Sequence, residues 1–274
     1  MKHNRIYLNE SDNRVYIDTY IANAKEKRDA ILVIPGGGYS VVCTDREGEP
    51  VALDFFAKGY NTFVLNYRCG KEGDVYPCQL LDAASAMIYI REHSEEFSIN
   101  PKRVFAVGFS AGGHLCGSLA TMFSYDEMKE AYGDKHPMIR PTGAILSYPV
   151  IMARENTHEG TFNRLLGKPI SQYTDEEVKR FSIDTAVSES SAPMFIWHTA
   201  EDKTVPVEGS LRLGIALTNN QIPFRLSVFP NGPHGIALAN KVTEFSNPAM
   251  IQPLAECWTK EADEWMRTLA DYEF

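Results

Sequence analysis

An α/β fold built on a mostly parallel, doubly wound sheet with helices on both faces is predicted by three features of this sequence. Short apolar, β-branched runs alternate with helix-periodic stretches, the pattern of strands joined by crossover helices. The chain has 274 residues, 44% of them hydrophobic, which suffices for one domain with a large core. Finally, Gly108-Phe109-Ser110-Ala111-Gly112 follows the apolar run Val104–Val107 and precedes an amphipathic segment, Gly113–Met122. A G-x-S-x-G pentapeptide thus falls on a strand-to-helix turn. No repeat, low-complexity tract or linker interrupts the sequence, and a single domain over 1–274 is expected.

In chain order, Arg5–Leu8 and Val15–Ile21 read as opening strands, with Ser11-Asp12-Asn13 turning between them. Ile31–Pro35 is a short buried strand that runs into Gly36-Gly37-Gly38-Tyr39. Glu49–Lys58 is a helix begun by Pro50 and closed by Gly59. Thr62–Tyr67 is a strand, and Gln79–Phe97 a long helix with Leu80, Leu81, Ala84, Met87 and Ile88 at helical spacing. Ser124–Pro141 reads as polar and irregular, and Gly143–Tyr148 as a strand. Ile151–Ala192 is a long excursion with a helix over Asp175–Arg180 capped by Thr174. Met194–Thr199 and Phe224–Phe229 are strands, and Val207–Asn219 and Gln252–Leu269 are helices.

The chemistry concentrates in four places. A serine on a tight strand-to-helix turn occupies a sparsely populated backbone region at a cost of about 1–3 kcal/mol. The turn lifts Ser110 Oγ clear of the sheet, toward the free N–H groups of the following helix. Consecutive glycines carry extra unfolded-state entropy and fit where backbone N–H groups must converge on a ligand atom. The N–H groups of Gly37 and Gly38 would join that of Ala111 to bind a developing oxyanion, where each donor is typically worth about 2.7–4 kcal/mol. The spacing matches neither G-x-G-x-x-G nor G-x-x-x-x-G-K-[ST], so a dinucleotide or phosphate loop is disfavoured. After the strand ending at Thr199, Asp202 is the candidate acid and Glu201 its rival; no strand end presents Asp184 or Glu189. His234, between Pro233 and Gly235, lies on a loop rather than an apolar face and is the candidate base. His114, one turn beyond Ser110, is expected to hydrogen-bond locally, and His198, inside a strand, to belong to the core. Tyr39 and Arg46, beside the glycine loop, are candidate substrate contacts.

These motifs resemble the α/β-hydrolase superfamily, and within it the small carboxylesterases related to acetyl-xylan and feruloyl esterases. The resemblance rests on Pro35-Gly-Gly-Gly-Tyr39, Glu47-Gly-Glu-Pro-Val-Ala52, Asn66-Tyr-Arg68, Gly108-Phe-Ser-Ala-Gly-Gly-His114, His198-Thr-Ala-Glu-Asp202 with Val205-Pro206, and Gly232-Pro-His-Gly235. Hormone-sensitive-lipase-type esterases are also similar, but they carry histidine where this chain has Pro35 and usually aspartate where it has Phe109. The resemblance implies a Ser110–His234–Asp202 triad in the chain order of that superfamily. It also implies an oxyanion hole from Gly37, Gly38 and Ala111, and two-step acyl transfer from a short-chain, acetyl-like carbohydrate ester. It places a short cap at about 151–192, where Phe162, Leu165, Leu166, Tyr173 and Phe181 either wall an acyl pocket or anchor the insertion to the sheet.

A formal charge of −9 and the lack of a basic run disfavour nucleic acid and anionic membranes as partners. The opening residues are too polar for a signal segment, and no apolar stretch is long enough to cross a bilayer. Five cysteines without paired C-x-x-C spacing read as free thiols in a reducing cytoplasm, with no metal and no cofactor. A small-molecule ester is the expected partner, and a homo-oligomer is compatible with the sequence. Three other readings stay open: a xylan glycosidase, a serine peptidase or amidase, and a non-catalytic binding module.

Overall fold

The alternation of strand and helix signals resolves into one mixed sheet. The computed structural model describes residues 1–154 and 156–274. The strands are β1 (Lys2–Tyr7), β2 (Tyr16–Ile21), β3 (Arg28–Ile34), β4 (Asn61–Asn66), β5 (Ile99–Phe109), β6 (Ala144–Ser147), β7 (Met194–Thr199) and β8 (Phe224–Phe229). They form one sheet in the order β1-β2-β4-β3-β5-β6-β7-β8. β1, β2 and β4 pair antiparallel, and every later pairing is parallel. Parallel strands buried on both faces read as continuous apolar runs, as Ala30–Ile34 and Val104–Val107 do.

The principal helices are α1 (Glu49–Ala57), α2 (Cys78–Glu92), α3 (Ala111–Thr121), α4 (Asp126–Tyr132), α5 (Glu159–Leu166), α6 (Asp175–Phe181), α7 (Ile183–Ala186), α8 (Glu208–Asn219) and α9 (Trp258–Met266). Alternation along β3 sends Leu32 and Ile34 to one core, with α2, α3 and α8, and Ile31 and Val33 to the other, with α1 and α9. The sheet is therefore covered on both faces, as the sequence predicts.

Several elements differ from expectation for identifiable reasons. Ser124–Pro141 is not irregular: it holds α4 and a 3₁₀ turn, Gly133–Ile139. Only Met128 of α4 is buried, so the segment carries no hydrophobic period. α2 stops short of Phe97 because the chain must reverse into β5, through Ser98 at φ 51° and the Ile99 N–H donated to the Ser94 carbonyl at 2.9 Å. α9 is shorter than Gln252–Leu269 because both ends of that stretch tighten into turns, with the Ala255, Trp258, Thr268 and Leu269 N–H groups each donated to the carbonyl three residues before. α3 is buried on every side rather than amphipathic, with Gly113 against Pro149 and Gly117 against Ile183. The α6 boundary holds: Thr174 Oγ1 accepts from the Glu177 N–H and the Glu177 carboxylate accepts from the Thr174 N–H, a reciprocal capping box.

Parallel pairing sends the C-terminal ends of β3, β5, β7 and β8 to one rim, where loops of such sheets bind ligands. The loop after β3 crosses the turn after β5 at backbone contact. A Cβ on Gly108 would sit 2.1 Å from the Gly112 carbonyl oxygen; one on Gly112 would sit 2.2 Å from that of Ile34. One on Gly36 would meet the Phe109 carbonyl at 2.5 Å. Gly112→Ala is therefore expected to destabilise the fold by about 3 kcal/mol or more, read from the denaturant midpoint; an unchanged midpoint would contradict the crossing.

Candidate active site

At that crossing Ser110 adopts φ 55° and ψ −118°, a conformation that L-residues rarely hold. Its own backbone fixes it there. The Ser110 N–H donates to the Ser147 carbonyl at 3.1 Å, and its carbonyl accepts from the His114 and Val150 N–H groups, each at 3.1 Å. The hydroxyl is thereby directed to the rim, where His234 Nε2 lies 2.8 Å from Ser110 Oγ. His234 Nδ1 lies 2.6 Å from Asp202 Oδ2. An ionised carboxylate only accepts, so Nδ1 carries the proton and Nε2 presents its lone pair to the serine hydroxyl.

Asp202 is held from several sides. Its Oδ1 accepts the Thr204 and Val205 N–H groups at 2.9 Å each, and its Oδ2 also accepts from His198 Nε2 at 3.2 Å. His198 donates that same Nε2 proton toward the Val205 carbonyl at 2.9 Å, which leaves its Nδ1 to accept from Ser210 Oγ at 2.8 Å. Burial works to raise the Asp202 pKa, but hydrogen bonds from His198 and His234, with the N–H groups below, hold it well under the ordinary carboxylate range. Glu201, the rival acid, is exposed and among the described residues accepts only from the Gly232 N–H, at 3.4 Å. Asp184 pairs instead with Arg154 at 2.6 Å.

Gly37, at φ 126°, and Gly38, at φ 62°, turn their loop over Ser110. Among the described residues no acceptor meets the N–H groups of Gly37, Gly38 or Ala111. The neighbouring Gly36 N–H is different: it donates to Glu47 Oε2 at 2.8 Å. Glu47, brought inward by a single π turn at Thr44–Gly48, is buried and also accepts from Tyr148 Oη at Oε1, 2.9 Å away. Tyr148 Oη accepts in turn from the Ala237 N–H at 3.0 Å, and its ring meets His234 edge-on at 5.0 Å. Burial pushes the Glu47 carboxyl up, while Arg46 and the Gly36 N–H pull it down. One carboxylate thus ties the glycine loop to the histidine loop.

A cavity of about 360 Å³ opens beside these groups, lined by Gly37, Gly38, Ser110, His234, Ser40 and Thr204 together with Arg46, Glu47, His158 and Arg164. Arg46, a candidate contact, is there. Tyr39 is not: its ring is buried under the loop with its hydroxyl bonded to His114 Nδ1 at 2.9 Å, and it borders the second cavity described below instead. His114 does not bond locally either. Its Nε2 donates to the Phe181 carbonyl at 2.8 Å, anchoring the 151–192 excursion, and burial drops its pKa to about 4. His198 belongs to the core, as expected, but also holds Asp202.

The excursion contributes two lining residues that sequence reasoning missed. His158, bonded through Nδ1 to Thr161 Oγ1 at 2.8 Å, is held below the ordinary imidazole range by burial, then by His234 and Arg164. Arg164 borders both this cavity and a second one of about 470 Å³. Phe162, Leu165 and Phe181 are buried in the main core, so they anchor the segment, whereas Leu166 borders the second cavity. Among the described residues no group of His, Cys, Asp or Glu is arranged to hold a metal ion, no helix is long and apolar enough to cross a membrane, and all five cysteines are free.

Residues 17–217 match the family model BD-FAE. Over 226 residues the chain is 42% identical to endo-1,4-beta-xylanase B of Butyrivibrio fibrisolvens, a match covering 81% of this chain and 34% of that protein. It is 31% identical over 210 residues to an acetylxylan esterase of Xylanibacter ruminicola, covering 75% of this chain and 40% of the relative. The chain therefore spans about a third to two-fifths of the length of these curated relatives. Among solved structures, an acetyl ester-xyloside bifunctional hydrolase from Caldicellulosiruptor lactoaceticus superposes with a TM-score of 0.82 at 33% identity, covering 97% of this chain and 96% of that one. A carboxylesterase from Lactobacillus plantarum gives 0.84 at 26% identity, covering 98% and 99%.

Removing the Glu47 carboxylate would orphan two buried donors, the Gly36 N–H and the Tyr148 O–H. Glu47→Ala is expected to cost roughly 2–4 kcal/mol in urea unfolding, with Glu47→Gln intermediate; a wild-type midpoint in Glu47→Ala would contradict the tie.

Proposed function

The chain belongs to the BD-FAE family, and from that premise we propose that it is a serine carboxylesterase removing short acyl groups, acetyl foremost, from carbohydrate esters such as acetylated xylo-oligosaccharides. The observation that carries the reading is the aligned run from Asp202 Oδ2 through both nitrogens of His234 to Ser110 Oγ, at 2.6 and 2.8 Å. The acetylxylan esterase relative and the acetyl ester-xyloside hydrolase neighbour support the carbohydrate ester.

In the proposed reaction His234 Nε2 takes the Ser110 proton as Oγ bonds to the ester carbonyl carbon. The carbonyl oxygen becomes an oxyanion within reach of the Gly37, Gly38 and Ala111 N–H groups. Asp202 keeps the imidazole in its Nδ1–H tautomer and stabilises the imidazolium. The C–O bond to the alcohol then breaks, His234 protonates the departing alkoxide, and an acyl-serine remains. Water, deprotonated by the same nitrogen, attacks the acyl carbon and releases the carboxylic acid and free Ser110. No step calls for a cofactor. The modest, polar cavity supports a short acyl group, and the five free cysteines support a reducing compartment.

Glycosidic cleavage would need two carboxylates flanking the bond. Among the described lining residues Glu47 is the only carboxylate, and both its oxygens are engaged. The ester reading is favoured on that ground.

Ser110→Ala is expected to lower kcat on p-nitrophenyl acetate by roughly 10⁴-fold or more while the protein stays folded; wild-type-like turnover would end the assignment. Wild-type kcat/KM is expected to rise with pH across about 5 to 8, where histidine titrates, and to fall from acetate to octanoate. A flat pH profile would argue against a histidine base.

A further inference from the structure

Most arginines of this chain pair with a carboxylate. Of those that do not among the described residues, Arg91 and Arg140 are taken up by backbone carbonyls, and Arg28 lies over the Phe56 ring at 5.8 Å. The other two are Arg46 and Arg164, and both line the Ser110 cavity.

Arg46 is the more telling. Among the described residues its buried Nε–H meets no acceptor, and its only side-chain hydrogen-bond partner is the weak one offered by Cys43 Sγ, 3.7 Å from Nη2. Phe245 covers its guanidinium at 6.0 Å. The adjacent Glu47 does not meet it within ion-pair distance, because its oxygens are held by the Gly36 N–H and the Tyr148 hydroxyl. A buried donor without an acceptor is costly, and guanidinium groups meet carboxylates with paired, directional hydrogen bonds. Among the described residues Arg164 donates only to the Gly160 carbonyl, at 3.3 Å.

We propose that the alcohol half of the ester carries a carboxylate, as a uronic acid does, and that Arg46 and Arg164 bind it. The proposal rests on the esterase reading above. A short acyl group bears no charge of its own, so the anion must lie on the alcohol. Arg164 borders both cavities, so an anion bound to it lies beside Ser110's cavity at its boundary with the second one. There Lys71 is accompanied by Glu72 and Asp74, so the excess positive charge sits at the Arg46–Arg164 end.

The test compares acetate release from a monoacetylated methyl glucuronide and from the corresponding monoacetylated methyl glucoside, with p-nitrophenyl acetate as a third substrate. We expect kcat/KM for the glucuronide to be at least about tenfold higher, chiefly through KM, as charge-assisted contacts to carboxylate would give. The gap narrows at about 0.5 M NaCl. Arg164→Gln, at an exposed position, and Arg46→Gln should each lose several-fold more on the glucuronide than on the glucoside. Equal rates on the two sugars, or equal losses on both in the variants, overturn the proposal and leave the esterase reading standing. Failure of the wild type on all three substrates overturns both.

Discussion

The site depends on one backbone crossing. The chain leaving β3 passes over the turn between β5 and α3 so closely that no Cβ fits at Gly36 or Gly112. That contact lets Ser110 keep φ 55°, with its N–H and carbonyl both bonded to the strand-end segment beside β6. It also leaves Gly37 and Gly38 in the loop that shares the cavity with Ser110. Strain of about 1–3 kcal/mol persists only where surroundings over-determine it. Here they are backbone on backbone, which leaves little room for relaxation.

Two buried carboxylates carry the geometry outward from the crossing, and they do so differently. Asp202 is surrounded by donors, two N–H groups and two imidazoles, so it remains ionised and fixes one histidine tautomer. Glu47 has only two such donors, and deep burial outweighs them and raises its pKa; its part is mechanical, joining the glycine loop through Gly36 to the histidine loop through Tyr148 and Ala237. Loops from distant parts of the chain thus keep a common register at the rim. His114 does the same for the excursion, linking Tyr39 beneath the glycine loop to Phe181.

What was legible in the sequence is what local rules enforce. Strand termini, the glycine run, the G-x-S-x-G turn and a histidine between proline and glycine identify Ser110, Asp202 and His234 because each follows a strand end by a few residues. The Thr174 cap was legible for the same reason. What was not legible depends on tertiary proximity. Glu47 stands within a motif that resembles known esterases, yet nothing local says that its carboxylate turns inward to Gly36. Tyr39 stands beside the glycines, and only the tertiary packing shows its ring buried against His114, bordering the second cavity rather than the one at Ser110. His158 and Arg164 sit at the start and on the polar side of α5, whose apolar Phe162 and Leu165 mark a packed helix but do not say that its polar residues border the pocket.

The central claim is that Ser110 is made nucleophilic by His234. Mass spectrometry after brief treatment with a fluorophosphonate at neutral pH measures this directly. The account predicts one covalent adduct on the Ser110 peptide, formed far more slowly in His234→Ala. Adduct on another residue, or labelling of Ser110 that ignores the loss of the imidazole, would contradict it.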